Sequence, residues 1–130
     1  MNLLLDSNAF VWLTDKKRSH NLGKNTQRLI TSSSAVYISP LSIVEIRMKM
    51  MLKKLKLGID LDQVIKQTGL LVLDFNAQHA QAIDSFQSLV RHDPFDRMLL
   101  AQAQTEGLVL VTADQTLLDL GLSFVFDARQ

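Results

Sequence analysis

The stretch DPFDRMLLAQAQTEGLVLVTAD, residues 93–114, reads in order as a helix start, a helix, a stop, a strand and an acid. Asp93 before Pro94 is a cap followed by proline at the first helical position, where the missing N–H costs nothing. Met98, Leu99, Ala101 and Ala103 leave an apolar stripe able to pack on a sheet. Gly107 supplies the stop, because a residue without Cβ readily takes the left-handed conformation that ends a helix. Leu108–Thr112 follows as a nearly continuous apolar run, as expected of a strand covered on both faces. Asp114 comes just past it.

Outward from there, the same alternation recurs. Asn2–Leu5, Ala35–Ser39, Leu70–Leu73 and Ser123–Phe126 read as further strands, the middle two again nearly continuous apolar runs. Ser7 is the candidate N-cap of a short helix through Leu13. Ser39-Pro40 opens a helix to about Lys54, and Asp60 and Asn76 are cap candidates for Leu61–Thr68 and Ala77–Leu89. Short apolar runs alternating with helix-period segments predict an α/β fold around a mostly parallel sheet of about five strands. There is no repeat or Gly/Pro/Ser-rich linker, so residues 1–130 are expected to form one domain.

Composition narrows the function classes. The chain is 47% hydrophobic and 21% charged, ordinary for a folded protein, and its formal net charge of +1 leaves any nucleic-acid binding to local basic clusters. It has no cysteine, which excludes disulfides, thiolate zinc sites and a cysteine nucleophile. Asp6 interrupts the only N-terminal apolar run and no basic segment precedes it, so neither a signal peptide nor a membrane span is expected. A cytoplasmic location follows as the expectation.

Four acids stand where this fold would gather them. Asp6 lies just past the first strand and Asp114 just past the fourth, on the edge where open parallel sheets bind ligands. Asp96 lies in the first turn of its helix, and Glu45 lies one to two turns into another. Carboxylates repel, so gathering several predicts a cation. With no His or Cys at ligand spacing, the donors are all oxygen, which favours Mg²⁺ or Mn²⁺ over zinc. Such an ion can activate a water against a phosphorus centre. Taken singly, each acid reads more readily as a cap or a solvated residue than as a ligand.

LLLDSNAFVWL, ISPLSIVEIRMKMMLKKLKL and HDPFDRMLLAQAQTEGLVLVTAD together resemble a PIN domain, specifically the VapC-type toxin ribonucleases, over nearly the whole chain. The resemblance implies a three-layer α/β/α fold and a single PIN domain over residues 1–130. It also implies a Mg²⁺- or Mn²⁺-dependent endoribonuclease acting on RNA, a cognate VapB-like antitoxin, and a homodimer. The family's acidic positions fall on Asp6, Glu45, Asp96 and Asp114. Ser7 stands where many relatives have threonine, and Ala113 where relatives often have arginine.

Other residues carry weaker expectations. Ser7 and Asn8 flank the first acid and are candidate second-shell groups, each with an ordinary role at a helix start. Asp93 is three residues from Asp96, with the cap role favoured. Arg97 is expected to pair with a carboxylate rather than with the scissile phosphate. Arg47, Lys49, Lys53 and Lys54, with Lys16, Lys17 and Arg18 as a second group, are candidate RNA contacts or a solvated face. Phe10 to Leu13 and the Met48–Leu52 run exceed what a small core needs, which points half of them to a partner. His79 is expected on an exposed helix face and His92 as a solvated residue before the cap. Two other classes remain. A haloacid-dehalogenase-like phosphatase would need an acid at position 8, where Asn8 stands, and a receiver-like or inert PIN scaffold would bind without catalysis.

Overall fold

The computed structural model describes residues 1–58 and 60–130. Within them one sheet contains β1 (Leu3–Leu5), β2 (Val36–Ile38), β3 (Leu71–Val72), β4 (Val109–Thr112) and β5 (Val125–Asp127). The strand order is β3-β2-β1-β4-β5 and every pairing is parallel. The α-helices are α1 (Ser7–Thr14), α2 (Lys24–Ser32), α3 (Pro40–Met51), α4 (Leu61–Gln67), α5 (Ala77–Ala82), α6 (Pro94–Glu106) and α7 (Gln115–Leu118). Short 3-10 segments cover Ser19–Asn21 and Ile83–Leu89.

β1 is central, and its three leucines are fully buried. Side chains of a strand alternate between faces, so they divide between two apolar layers. Leu3 and Leu5 pack with Phe10, Ile38, Ile46 and Val64, under α1, α3 and α4. Leu4 packs with Leu99, Leu100, Ala103, Leu110 and Leu117, under α6 and α7. The result is the expected three-layer α/β/α sandwich. Each fully buried leucine contributes about 2 kcal/mol of hydrophobic stabilisation. The chain adds β2 and β3 on one side of β1, then returns to add β4 and β5 on the other. The crevice beyond the carboxyl ends of β1 and β4 is therefore the topological switch point.

Several boundaries differ from the sequence expectation. β3 is an edge strand, with Leu71 and Val72 about half exposed, so its apolar run does not signal cover on both faces. β5 pairs at Val125–Asp127, because the Val125 N–H turns back to the Leu122 carbonyl and delays the strand. α3 stops at Met51, short of Lys54, and Lys53 adopts a positive φ of 56°. The segment expected as one helix over Ala77–Leu89 is α5 followed by 3-10 turns, broken at Phe86 (φ −118°, ψ 53°) where its ring enters the core. α2 was not expected. Its N-cap, Gly23, has no capping side chain, and an added Cβ there would lie 2.1 Å from the Gln130 carbonyl carbon.

The surplus apolar residues divide. Phe10 and Val11 are buried, and Trp12, Leu13 and Met50 pack against the first layer. Val44, Met48, Met51 and Leu52 remain exposed on and just beyond α3. Among the described residues, no helix is long and apolar enough to cross a membrane.

Candidate metal centre

Asp6, Asp93 and Asp114 reach one cleft because each begins a helix. The Asp6 N–H still donates to the Val111 carbonyl as β1 ends (3.1 Å), and its Oδ1 then accepts the Ala9 N–H (2.8 Å) as the N-cap of α1. Ser7 was the expected cap; it is instead the first helical residue, and it lines the cleft. Asp93 caps α6 by accepting from the Phe95 N–H at 2.9 Å. Asp114 caps α7, with Oδ1 accepting the Leu117 N–H at 3.2 Å. The positive end of a helix favours such carboxylates. Asp96 comes from the first turn of α6, and Glu45 from the middle of α3.

These acids meet. Asp6, Glu45, Asp93, Asp96 and Asp114 line a polar cleft of about 130 Å³ together with Ser7, Asn8 and Lys49. Its lining, five carboxylates among eight polar residues, suits a hydrated cation. Larger cavities, such as one of about 480 Å³ beside Trp12, Leu22 and Ile30, gather no acids. The small cleft is therefore the chemically distinctive one.

Burial and crowding hold two of the acids against ionisation. Desolvation pushes the Asp6 carboxyl up to about 6, helped by the charges of Glu45 and Asp114, even though the bonds from Thr112 and Ala9 oppose it. Asp96 rises to about 7 through burial and the neighbouring Asp114, Asp93 and Glu45 charges, with His92 opposing. A divalent cation would relieve both effects, and a set dominated by carboxylate oxygens fits a hard ion. Asp6 is rigidly set to receive one. Its Oδ2 accepts from Thr112 Oγ1 at 2.6 Å, and the same hydroxyl oxygen accepts the Asp114 N–H at 3.1 Å.

Thr112 and His92 were missed by sequence reasoning. Thr112 registered only as a strand end, although a hydroxyl two residues before Asp114 was the available signal. His92 is not a solvated bystander. Its Nε2 lies 3.0 Å from Asp96 Oδ2 and 3.8 Å from Asp114 Oδ2. The spacing from His92 to Asp96, four residues, was the sign, obscured because Pro94 opens the helix between them.

Two further expectations are corrected. Arg97 forms no ion pair with a carboxylate among the described residues; its Nε donates to the Ile83 carbonyl at 3.0 Å and ties α6 to the 3-10 segment. His79 is fully buried, closing a capping box with Asn76 and lying 2.9 Å from Glu106 Oε1. Among the basic residues, Arg47 is exposed and pairs with Asp62 at 3.1 Å. Of the basic candidates, Lys49 enters the cleft, 3.6 Å from Glu45 Oε1. Lys49, Lys54 and Arg18 also line an adjoining groove of about 280 Å³ that shares Ser7 and Asn8 with the cleft. Lys53 is exposed outside both.

The PIN domain family model matches residues 3–121, from β1 through α7. No curated protein matches the chain. Among solved structures, a toxin–antitoxin complex from Klebsiella pneumoniae is similar with TM-score 0.67 and 17% identity, covering 97% of each chain. VapBC2 from Rickettsia felis, bound to a promoter DNA fragment, gives TM-score 0.67 and 18% identity over 97% of this chain and 98% of that one. FitAcB from Neisseria gonorrhoeae gives 0.66 and 19% over 98% of each. Identities this low carry the fold, while the family model carries membership. The chain belongs to the PIN domain family.

Proposed function

We propose that the chain is a Mg²⁺- or Mn²⁺-dependent endoribonuclease of the VapC toxin type, acting in the cytoplasm as a homodimer and neutralised by a VapB-like antitoxin. One observation carries the nuclease reading: Asp6, Glu45, Asp96 and Asp114 converge on a small polar cleft at the switch point of the sheet. The similar toxin–antitoxin complexes support the toxin part. The exposed Val44, Met48, Met51 and Leu52 offer an apolar face for the antitoxin or a second copy.

Asp6, Asp96 and Asp114 would hold the ion, with Glu45 reaching it directly or through water. When bound, the ion supplies charge for the scissile phosphate and acidifies a water for attack. The chain's own groups do the positioning. Thr112 and the Ala9 N–H fix both oxygens of Asp6. Lys49 offsets the charge of Glu45, and with Arg18 and Lys54 it gives the RNA backbone a cationic approach beside the acids. The cleft lining offers no aromatic ring on which a base could stack, so target choice falls to loop shape and the groove.

Incubation of a cellular RNA pool with Mg²⁺ or Mn²⁺, against EDTA and Asp6→Asn controls, tests the proposal. Discrete cuts lost in both controls are expected. Equal cleavage by Asp6→Asn would mean the acids are not the site. No cleavage by folded, antitoxin-free protein would favour an inert scaffold.

A further inference from the structure

The proposed function uses only oxygen ligands, yet an imidazole nitrogen stands beside two of them. His92 Nε2 faces two of the acids, 3.0 Å from Asp96 Oδ2 and 3.8 Å from Asp114 Oδ2. The three ligand atoms all lie within 4.8 Å of one another. Ligands about 2.1 Å from an octahedral ion stand about 3 Å apart when adjacent and ~4.2 Å when opposite. The observed separations bracket that range, so one ion can touch all three after small side-chain adjustments. His92 is partly exposed, in the short stretch between the 3-10 segment and α6, where its ring can adjust.

We infer that His92 is a nitrogen ligand of this centre and sets its preference among metals, favouring first-row transition ions such as Co²⁺ and Zn²⁺ over Mg²⁺. The inference rests on the proposed metal centre. Mg²⁺ keeps oxygen ligands and its own waters, and gains little from an imidazole. Affinity for nitrogen donors rises from Mn²⁺ through Co²⁺, and Zn²⁺ accepts imidazole readily. A carboxylate-only cleft would have a weaker bias. His92 therefore makes the centre susceptible to occupation by a tighter, competing ion.

A protonated imidazole paired with Asp96 would give the same 3.0 Å contact, so the test must separate ligation from positioning. Co²⁺ and Mg²⁺ are titrated calorimetrically into the wild-type chain and His92→Ala, without RNA. The variant is expected to bind Co²⁺ at least ~10-fold more weakly, with Mg²⁺ affinity changed less than about twofold. In the Co²⁺-loaded wild type, proton NMR should show a paramagnetically shifted, exchangeable imidazole N–H that His92→Ala lacks. An equal loss for both ions would make His92 a positioning residue for Asp96 and overturn the inference. So would an unchanged Co²⁺ affinity or a missing imidazole signal. If the wild-type chain binds neither ion, the metal centre itself fails. Binding of both without the His92 signature leaves the centre standing and only this inference refuted. Metal-free melting of the variant checks that it is folded.

Discussion

Asp60 and Asp6 occupy the same local position in two parts of the molecule, since each has an extended backbone and caps the helix that follows. At α4, Asp60 accepts the Asp62 and Gln63 N–H groups at 2.9 and 3.4 Å, and it remains exposed. At α1, Asp6 accepts the Ala9 N–H, but it is buried at the switch point with Thr112 on its other oxygen and four further carboxylates lining the same cleft. Capping a helix and lining the candidate metal cleft are thus compatible roles for one aspartate. A cap uses one carboxylate oxygen, and the place of that helix in the sheet decides what the other oxygen meets.

Exchanging the charge at both places should break the symmetry most visibly. Asp6→Asn keeps a capping side chain and is expected to lower RNA cleavage more than ~100-fold, whereas Asp60→Asn should leave it within about twofold. Rates on a single defined RNA substrate measure both.

Stability should separate them next, through pH. Asp6 ionises at about 6 in the folded chain against 3.8 unfolded, so between those values the folded state holds the extra proton. Stability from this group is therefore greatest at low pH and lost as pH rises through that window. Without metal, wild type should become less stable than Asp6→Asn by up to about 3 kcal/mol by pH 8, with little difference near pH 4. Denaturant melts in EDTA at the two pH values check the sign. A difference that grows toward low pH would contradict the buried-acid account.

Added metal should reverse the penalty. An ion at about 100 times its Kd stabilises by about 2.7 kcal/mol. The stabilisation of wild type should be larger at pH 8 than at pH 5.5, because the acids must lose protons to bind, and nearly absent in Asp6→Asn. Thr112→Val, which removes the hydroxyl on Asp6 while keeping the shape, should cost about 1–3 kcal/mol in the same assay. Asp60→Ala should cost only the ordinary cap, about 1 kcal/mol, with metal response unchanged.

Much of the fold was legible because local rules and the tertiary outcome agree. Ser39-Pro40, Asp60, Asn76, Asp93-Pro94 and Gly107 all act as their sequence signals foretell. α7 escaped notice because it has four residues, too few to show a period, and α2 because a glycine begins it. The four acids were legible as a group, since strand ends and helix starts fix their edge of the sheet. His92 and Thr112 were not, because their roles depend on side-chain distances across separate elements. His79 and Arg97 fail for the same reason: an imidazole or guanidinium on a helix carries no mark of whether a carbonyl, a carboxylate or solvent lies opposite.

β1 has three residues, and its one-residue alternation assigns Leu4 to one layer and Leu3 and Leu5 to the other while delivering Asp6 to the crevice. A slip of one position along β4 would carry Asp6 about 3.3 Å from Thr112 and send each leucine to the wrong layer. The acid cannot be misplaced while the core remains sound. The acidic cleft is thus proofread by folding itself: it assembles only with the finished sheet.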